Sequence, residues 1–280
     1  MKPEQEALIC AMASEAIYGS EIDLVGDKSS QASIASLNPS NFVWIDLKTV
    51  YQDICAFIVT TAESHLLVFR GTKIFQDWME DLDSTPARFD WVFSGSPSIG
   101  EIHAGFGHCL AEKIQEIVSD LAKRDLNKPL LISGHSLGGA LAALAGAYFI
   151  TSGKTMPTIS KIYTFGQPRI GLYGFCNFYS RILSDKLIRF VNQNDVVPRV
   201  PFRGFEYSDE GIMIHFDSSG KPLKQSLEWQ NFLTRTFQSF EDMTEIIKDL
   251  RTDVGDHSVT GYKILVQNNQ PELALLLADT

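Results

Sequence analysis

The chain has 280 residues, 44% hydrophobic and 21% charged, with 20 glycines and 11 prolines, a globular balance with enough apolar mass for one large core. Its formal net charge of -10 opposes binding to nucleic-acid phosphates and static adhesion to anionic lipid, and does not discriminate against neutral ester ligands. No Pro/Gly-rich linker, charge block or fixed-period repeat divides residues 1–280, so one domain is expected.

The N-terminal stretch MKPEQEALICAMASEA lacks the charged n-region of a signal peptide, because Glu4 and Glu6 offset Lys2. Leu8, Met12 and Ala16 suggest instead an amphipathic helix that begins after Pro3. No run approaches the roughly 20 apolar residues of a membrane-spanning helix, and a cytoplasmic protein, or one exported by a non-classical route, is expected. Cys10, Cys55, Cys109 and Cys176 are widely spaced, without a CxxC or metal-ligand pattern, and read as free buried thiols.

Residues 26–41 read as a polar surface loop. The runs ICAFIVTT (54–61) and HLLVF (65–69), separated by Ala62-Glu63-Ser64, predict a hairpin. In the segment 73–82, Ile74, Phe75, Trp78, Met79 and Leu82 recur at helical spacing, with charged residues opposite. Residues 89–101 are turn-rich, and 108–124 repeat a helical pattern through Leu110, Ile114, Ile117, Val118 and Leu121.

Next comes an alternation of strand 130–133, helix 137–152, strand 159–165, helix 172–183 and strand 187–191. Alternation of this kind implies parallel neighbours joined by crossover helices. The predicted class is therefore α/β, with a mixed, mostly parallel central sheet covered by helices on both faces. Residues 204–222 read as a further hairpin region and 227–250 as helical, which makes about 204–255 a helix-rich insertion. A helix at 259–267 and an apolar tail close the chain.

One residue is out of place in LLISGHSLGGALAAL (130–144): Ser136, between glycines, where a buried strand meets a tightly packed helix. A capping serine at a glycine-rich helix start is the ordinary reading. The pattern Gly134-His135-Ser136-Leu137-Gly138 supports a sharper one. An abrupt strand-to-helix turn strains the serine backbone and is tolerated only if the residues two away, Gly134 and Gly138, lack side chains. It exposes a hydroxyl beside helix N-terminal amides, the arrangement a nucleophile and its oxyanion require.

A serine nucleophile needs a base, and the base needs an orienting carboxylate. His135 lies inside the turn, pointing away from the serine face. His65 reads as a solvated histidine at a hairpin corner. His103 and His108 precede the serine, and His215 lies in a hairpin. His257 remains, late in the chain at a helix start, although position alone does not separate a base from a solvated loop histidine. Asp195 follows the strand 187–191 in NQNDVVP, a cluster that is also ordinary turn chemistry. Asp256 is the rival acid, but adjacent side chains at a helix start generally diverge. The order Ser136, Asp195, His257 makes these three the leading candidate triad.

With these motifs in place, the chain resembles the class 3 lipases, the fungal triacylglycerol lipase type of α/β-hydrolase. The blocks that carry the resemblance are VFRGTKIFQDWMEDL, IHAGF, LISGHSLGGALAAL with YTFGQPRIG, and NQNDVVPRVP with DHSVTGY, spread over about residues 56–266. The resemblance implies an α/β-hydrolase fold with Ser136, Asp195 and His257 as the triad. It implies that the amides of Thr72 and Leu137 form the oxyanion hole and that Asp81 holds the Thr72 hydroxyl. It also makes 73–82 a lid whose apolar face is Ile74, Phe75, Trp78, Met79 and Leu82. The cysteines do not suggest the disulfide framework of the secreted fungal members.

The activity so implied is hydrolysis of carboxylic esters of lipids, acylglycerols or phospholipids, through an acyl-enzyme and without a metal or organic cofactor. Two alternatives stand beside it: a soluble-ester or feruloyl-type esterase on the same fold, and a catalytically silent lipase-like domain that only binds lipid.

Overall fold

A computed structural model describes residues 1–19, 40–47, 54–72, 85–183, 185–201, 206–224 and 255–280. The segment 73–82, with Asp81 and the five apolar residues assigned to a lid, and the helix expected at 227–250 lie outside the described residues.

Among the described residues an eight-stranded sheet forms the centre. Its strands, numbered in chain order together with those of a second, smaller sheet, are β1 (Ser40–Leu47), β2 (Ile54–Thr60), β3 (His65–Phe69), β6 (Leu130–His135), β7 (Ile159–Phe165), β9 (Leu187–Asn192), β11 (Ile212–Phe216) and β12 (Pro222–Lys224), in that spatial order. The pairs β3/β6, β6/β7, β7/β9 and β9/β11 are parallel, and antiparallel pairs flank them at both edges. The hairpin read in 54–69 is the β2/β3 pair, with Thr60 opposite His65. β1 is an addition: its start was read as the end of a polar loop, whereas Val43, Ile45 and Leu47 alternate inward with increasing burial.

The pleat divides the core in two. Ala56, Ile58, Leu67, Phe69, Leu130 and Ile132 face one cluster, and Phe57, Val59, Leu66, Val68 and Leu131 face the other. Neighbouring residues on each strand thus feed opposite layers, and both faces are covered, as a mostly parallel sheet requires.

The first layer holds α2 (Phe89–Val92), α3 (Ala104–Ala111), α4 (Ile114–Leu121), α5 (Leu137–Thr151) and α6 (Tyr173–Ile182). The single helix expected over 108–124 is two: α3 starts at Ala104, capped by the His103 ring, and the chain breaks at Lys113 (φ -123°, ψ 0°) before α4. The continuous apolar spacing hid a corner. A small antiparallel sheet, in the order β10 (Tyr207–Ser208), β8 (Gly171–Leu172), β5 (Glu101–His103), β4 (Pro86–Arg88), lies beside this layer, its strands too short for an alternating pattern to mark them.

The second layer holds α1 (Pro3–Ala16), α7 (Val259–Asn268) and α8 (Gln270–Leu276), the last formed by what read as an apolar tail. In α1 the buried face is Ala7, Cys10, Ala11 and Ser14, while Leu8 and Met12, the expected stripe, are only partly buried. Small residues let the helix lie close on the sheet, where the Ser14 hydroxyl meets that of Ser133 at 2.8 Å. Lys263 of α7 binds both Glu15 carboxylate oxygens at 2.9 and 2.6 Å, pinning α1 to α7. All four cysteines are free and buried.

Ala11→Leu should therefore cost about 1–3 kcal/mol through overpacking, whereas Met12→Leu stays below about 1.5 kcal/mol. Urea unfolding measures both, and the reverse order would place the buried face of α1 on Leu8 and Met12.

Candidate active site

The parallel strands bring their C-terminal ends together, which is where open α/β sheets build sites. β3 runs out into Gly71-Thr72, β6 into Ser136, β7 into Gly166 and β9 into the turn holding Asp195.

Ser136 has φ 58° and ψ -131°, a conformation that costs a residue with a side chain on the order of 1–3 kcal/mol. Close packing on both sides enforces it. A Cβ on Gly134 would lie 2.2 Å from the Gly138 carbonyl oxygen, and one on Gly138 would lie 2.2 Å from that of Phe69. The first turn of α5 therefore rests directly on the end of β3. The Ser136 amide donates to the Phe165 carbonyl at 2.9 Å, and its own carbonyl accepts from Gly139 at 2.9 Å. Leu137 occupies the first helical position, where helix geometry leaves the amide without an intrahelical acceptor.

Gly71 touches this turn: a Cβ there would be 3.0 Å from the Ser136 Cβ. That places Thr72 beside the serine. The Thr72 hydroxyl is buried and has no hydrogen-bond partner among the described residues, a costly state unless a ligand oxygen supplies the bond.

His257 and Asp195, 62 residues apart in sequence, are brought together at 2.8 Å between Nδ1 and Oδ2. The Tyr262 hydroxyl donates to the same Oδ2 at 2.6 Å, and the Val197 amide donates to Oδ1 at 2.9 Å. The carboxylate accepts all three bonds, so His257 carries its proton on Nδ1 and presents the lone pair of Nε2 on the opposite ring edge. The Tyr262 oxygen in turn accepts from the Asn192 amide at 2.9 Å. Burial, then the adjacent Asp195 charge, hold the Tyr262 hydroxyl well above its ordinary pKa, so it stays a donor. Ser258 caps α7 through the Gly261 amide, which fixes the chain just after His257.

Gly166 makes the junction between serine and histidine. Its φ is +61°, and a Cβ there would lie 2.8 Å from both the His257 ring and the Asp195 carboxylate. The preceding carbonyl, that of Phe165, holds the Ser136 amide. One strand end thus contacts both sides of the site.

The rival carboxylate, Asp256, accepts from the Asn194 amide at 3.2 Å and braces the turn that carries Asp195. Apart from His108, which is exposed, the other histidines have structural partners. His65, read as solvated, is 1% exposed, bonded to Thr60 and to the Asp125 carbonyl. His103 stacks on Phe106, His108 lies within α3, and His215 donates to the Gln193 carbonyl at 2.9 Å. His135 is not the base, but it has partners within the site. Its ring lies 4.6 Å from that of His257, and its nitrogens bond the His257 carbonyl and the Tyr18 hydroxyl.

Tyr262, His135, Tyr18 and Gly166 are thus residues of the site's surroundings that the sequence reading did not assign. Tyr262 carried a signal, since it stands five residues after His257, on the helix that follows it. Tyr18 carried none, being 117 residues from its partner.

Ser136, His257, Asp195 and Thr72 together offer a hydroxyl on a strained turn, an oriented imidazole, a saturated carboxylate and unpaired donors. The chain is similar to known proteins. The family described as Lipase (class 3) matches residues 66–205, half of the chain. Triacylglycerol lipase OBL1 of Arabidopsis thaliana is 26% identical over 260 residues, 75% of this chain and 49% of the relative. The chloroplastic phospholipase A(1) DAD1 of the same plant is 30% identical over 172 residues, 56% of this chain and 38% of the relative. The chain thus spans less than half the length of these two relatives. The solved Rhizomucor miehei lipase propeptide complex superposes with a TM-score of 0.65 at 23% identity, over 79% of this chain and 70% of that one, which supports the α/β-hydrolase fold. By its motifs, its fold and the matched family, the chain belongs to the class 3 lipases.

Proposed function

We propose that the protein is a serine hydrolase that cleaves carboxylic esters of lipids, acylglycerols or phospholipids, through an acyl-enzyme. The observation that carries this reading is the strained Ser136 at the end of β6, packed through Phe165-Gly166 against the His257–Asp195 pair. Two relatives are named a triacylglycerol lipase and a phospholipase A(1), which supports lipid esters as the substrate class.

In this reading the Nε2 lone pair of His257 takes the proton as the Ser136 hydroxyl attacks the ester carbonyl. Asp195 stabilises the imidazolium and holds its tautomer. The amides of Thr72 and Leu137 receive the oxyanion, and the Thr72 hydroxyl adds a third donor. His257 then protonates the leaving alcohol, and water releases the acid by the reverse sequence. The segment 73–82 is proposed as a lid because it directly follows the oxyanion threonine and its five apolar residues give a stripe suited to a lipid surface.

Ser136→Ala should abolish both hydrolysis and labelling by a serine-directed fluorophosphonate, with a stability change below about 1 kcal/mol. An unlabelled but stable wild-type chain would leave only a lipid-binding role. A rate profile over acyl length, on soluble and emulsified esters, separates a lipase from a soluble-ester esterase: preference for short soluble esters throughout would overturn the lipid assignment.

Thr72→Val preserves the amide and the side-chain shape while removing the hydroxyl. The expected result is a loss of kcat of about tenfold or more. Unchanged turnover would mean that backbone amides alone make the hole.

A further inference from the structure

A second chain of hydrogen bonds runs behind the triad and touches three of its supports at once. The Gly71 backbone packs against the Tyr18 oxygen, which a Cβ on Gly71 would meet at 2.8 Å, and the Tyr18 hydroxyl lies 2.7 Å from His135 Nδ1. His135 Nε2 lies 2.8 Å from the His257 carbonyl.

Chemistry fixes the direction of every bond. A carbonyl only accepts, so His135 carries its proton on Nε2 and donates it to His257. Nδ1 is then the acceptor, and Tyr18 must be the donor. The Tyr18 oxygen, having given its proton, lies against the Gly71 backbone. Burial, reinforced by the nearby His257, holds the His135 ring far below the ordinary histidine pKa, so the neutral tautomer persists. The chain is a set of fixed struts.

Each end of this chain meets the proposed reaction centre. Gly71 precedes Thr72, the oxyanion residue, and sits close enough that a Cβ would meet the His135 carbonyl at 2.7 Å and the Tyr18 oxygen at 2.8 Å. His135 precedes Ser136. The far end grips the backbone of His257 itself. Other ties on the loop carrying His257 include the Asp195 bond to its ring, the Asn192 side chain, which donates to the Asp256 carbonyl at 2.9 Å, and the Asn194 amide, which donates to the Asp256 carboxylate at 3.2 Å. His135 supplies the restraint from the serine side.

We propose that Tyr18 and His135 are positioning residues that set the separation between base, nucleophile and oxyanion turn by bracing the backbone of His257 against Gly71. The proposal rests on the serine-hydrolase reading. It gives α1 a task beyond covering the sheet. Tyr18 follows α1 directly, and the Glu15–Lys263 ion pair holds that helix against α7 beside His257. The N-terminal helix thereby becomes part of what aligns the reaction, although none of its residues touches the substrate.

The two amides that resemble imidazole test this directly. Glutamine at 135 can place a donor where Nε2 stands, whereas asparagine reaches only the Nδ1 position, toward Tyr18. In the full chain acting on a short soluble ester, His135→Asn should lower kcat by about tenfold to a hundredfold while KM stays within about twofold. His135→Gln should restore most of that loss. Tyr18→Phe should lower kcat by a smaller factor, again without a change in KM.

Equal rates for the asparagine and glutamine variants would overturn the proposal, whether both were fast or both slow, because the donor to His257 would then not be what matters. If His135→Asn fails to fold, Tyr18→Phe decides, since it removes a single oxygen: a wild-type kcat there overturns the role of the strut. A wild-type chain that neither hydrolyses esters nor takes the fluorophosphonate defeats the serine-hydrolase reading itself. That failure is read before any substitution is made and is distinct from a failure of the struts.

Discussion

The backbone of Ser136 is the constraint from which the rest of the structure follows. Its φ of 58° and ψ of -131° store strain that only the surroundings can hold. The Phe69 carbonyl must lie where a Gly138 side chain would be, and the Phe165 carbonyl must receive the Ser136 amide. Both neighbours of β6 are thus fixed in register by the turn: β3 with Phe69 beside Gly134, and β7 with Phe165 beside His135. A serine in a relaxed helix cap would need neither. The alanine- and glycine-rich sequence of α5 has the same origin, because a helix that starts this close to the sheet stays close along its length. Its residues from Leu137 to Phe149 are all buried.

A second requirement is to keep charge in a dry place. Asp195 is 2% exposed, and a carboxylate so buried is tolerable only with its oxygens saturated. Three donors meet it, from His257, Tyr262 and Val197. Deeper in the same region Arg189 and Arg169 share Asp209, while Glu210 accepts from Gln167. These pairs fasten the loop after β7 to the segment between β10 and β11. Gly166, which contacts His257, is the first residue of that loop. The polar groups around the site are therefore mutually supporting, and removing one leaves another unpaired.

Ser136 and Asp195 could be read because each sits at a strand end whose position the alternation of apolar runs already marked, whereas His257 was reached by its late place before a helix. Ser136 could be read from Gly134 and Gly138, and Asp195 from the turn after 187–191. What stayed hidden needed distant partners. The strand β1 carries an apolar run, Phe42 to Ile45, but its place at the edge of the sheet comes from pairing with β2, which no local pattern shows. The break at Lys113 leaves the apolar spacing of 108–124 intact. In α1 the larger side chains, Leu8 and Met12, pointed to the wrong face, because closeness to the sheet rewarded alanine over leucine. His65 looked exposed at a hairpin corner and is buried because residues 60 and 125 come to it. The bond between Tyr18 and His135 spans 117 residues and leaves no local mark.

The central claim is that Ser136 becomes acylated. An acid-quenched reaction with a short-chain ester, followed by mass analysis of the peptides, tests it most directly. The account predicts a mass increase equal to the acyl group on the peptide containing Ser136, formed in a burst before steady turnover. Steady hydrolysis with no adduct on that peptide, or with the acyl group carried by another residue, would contradict it.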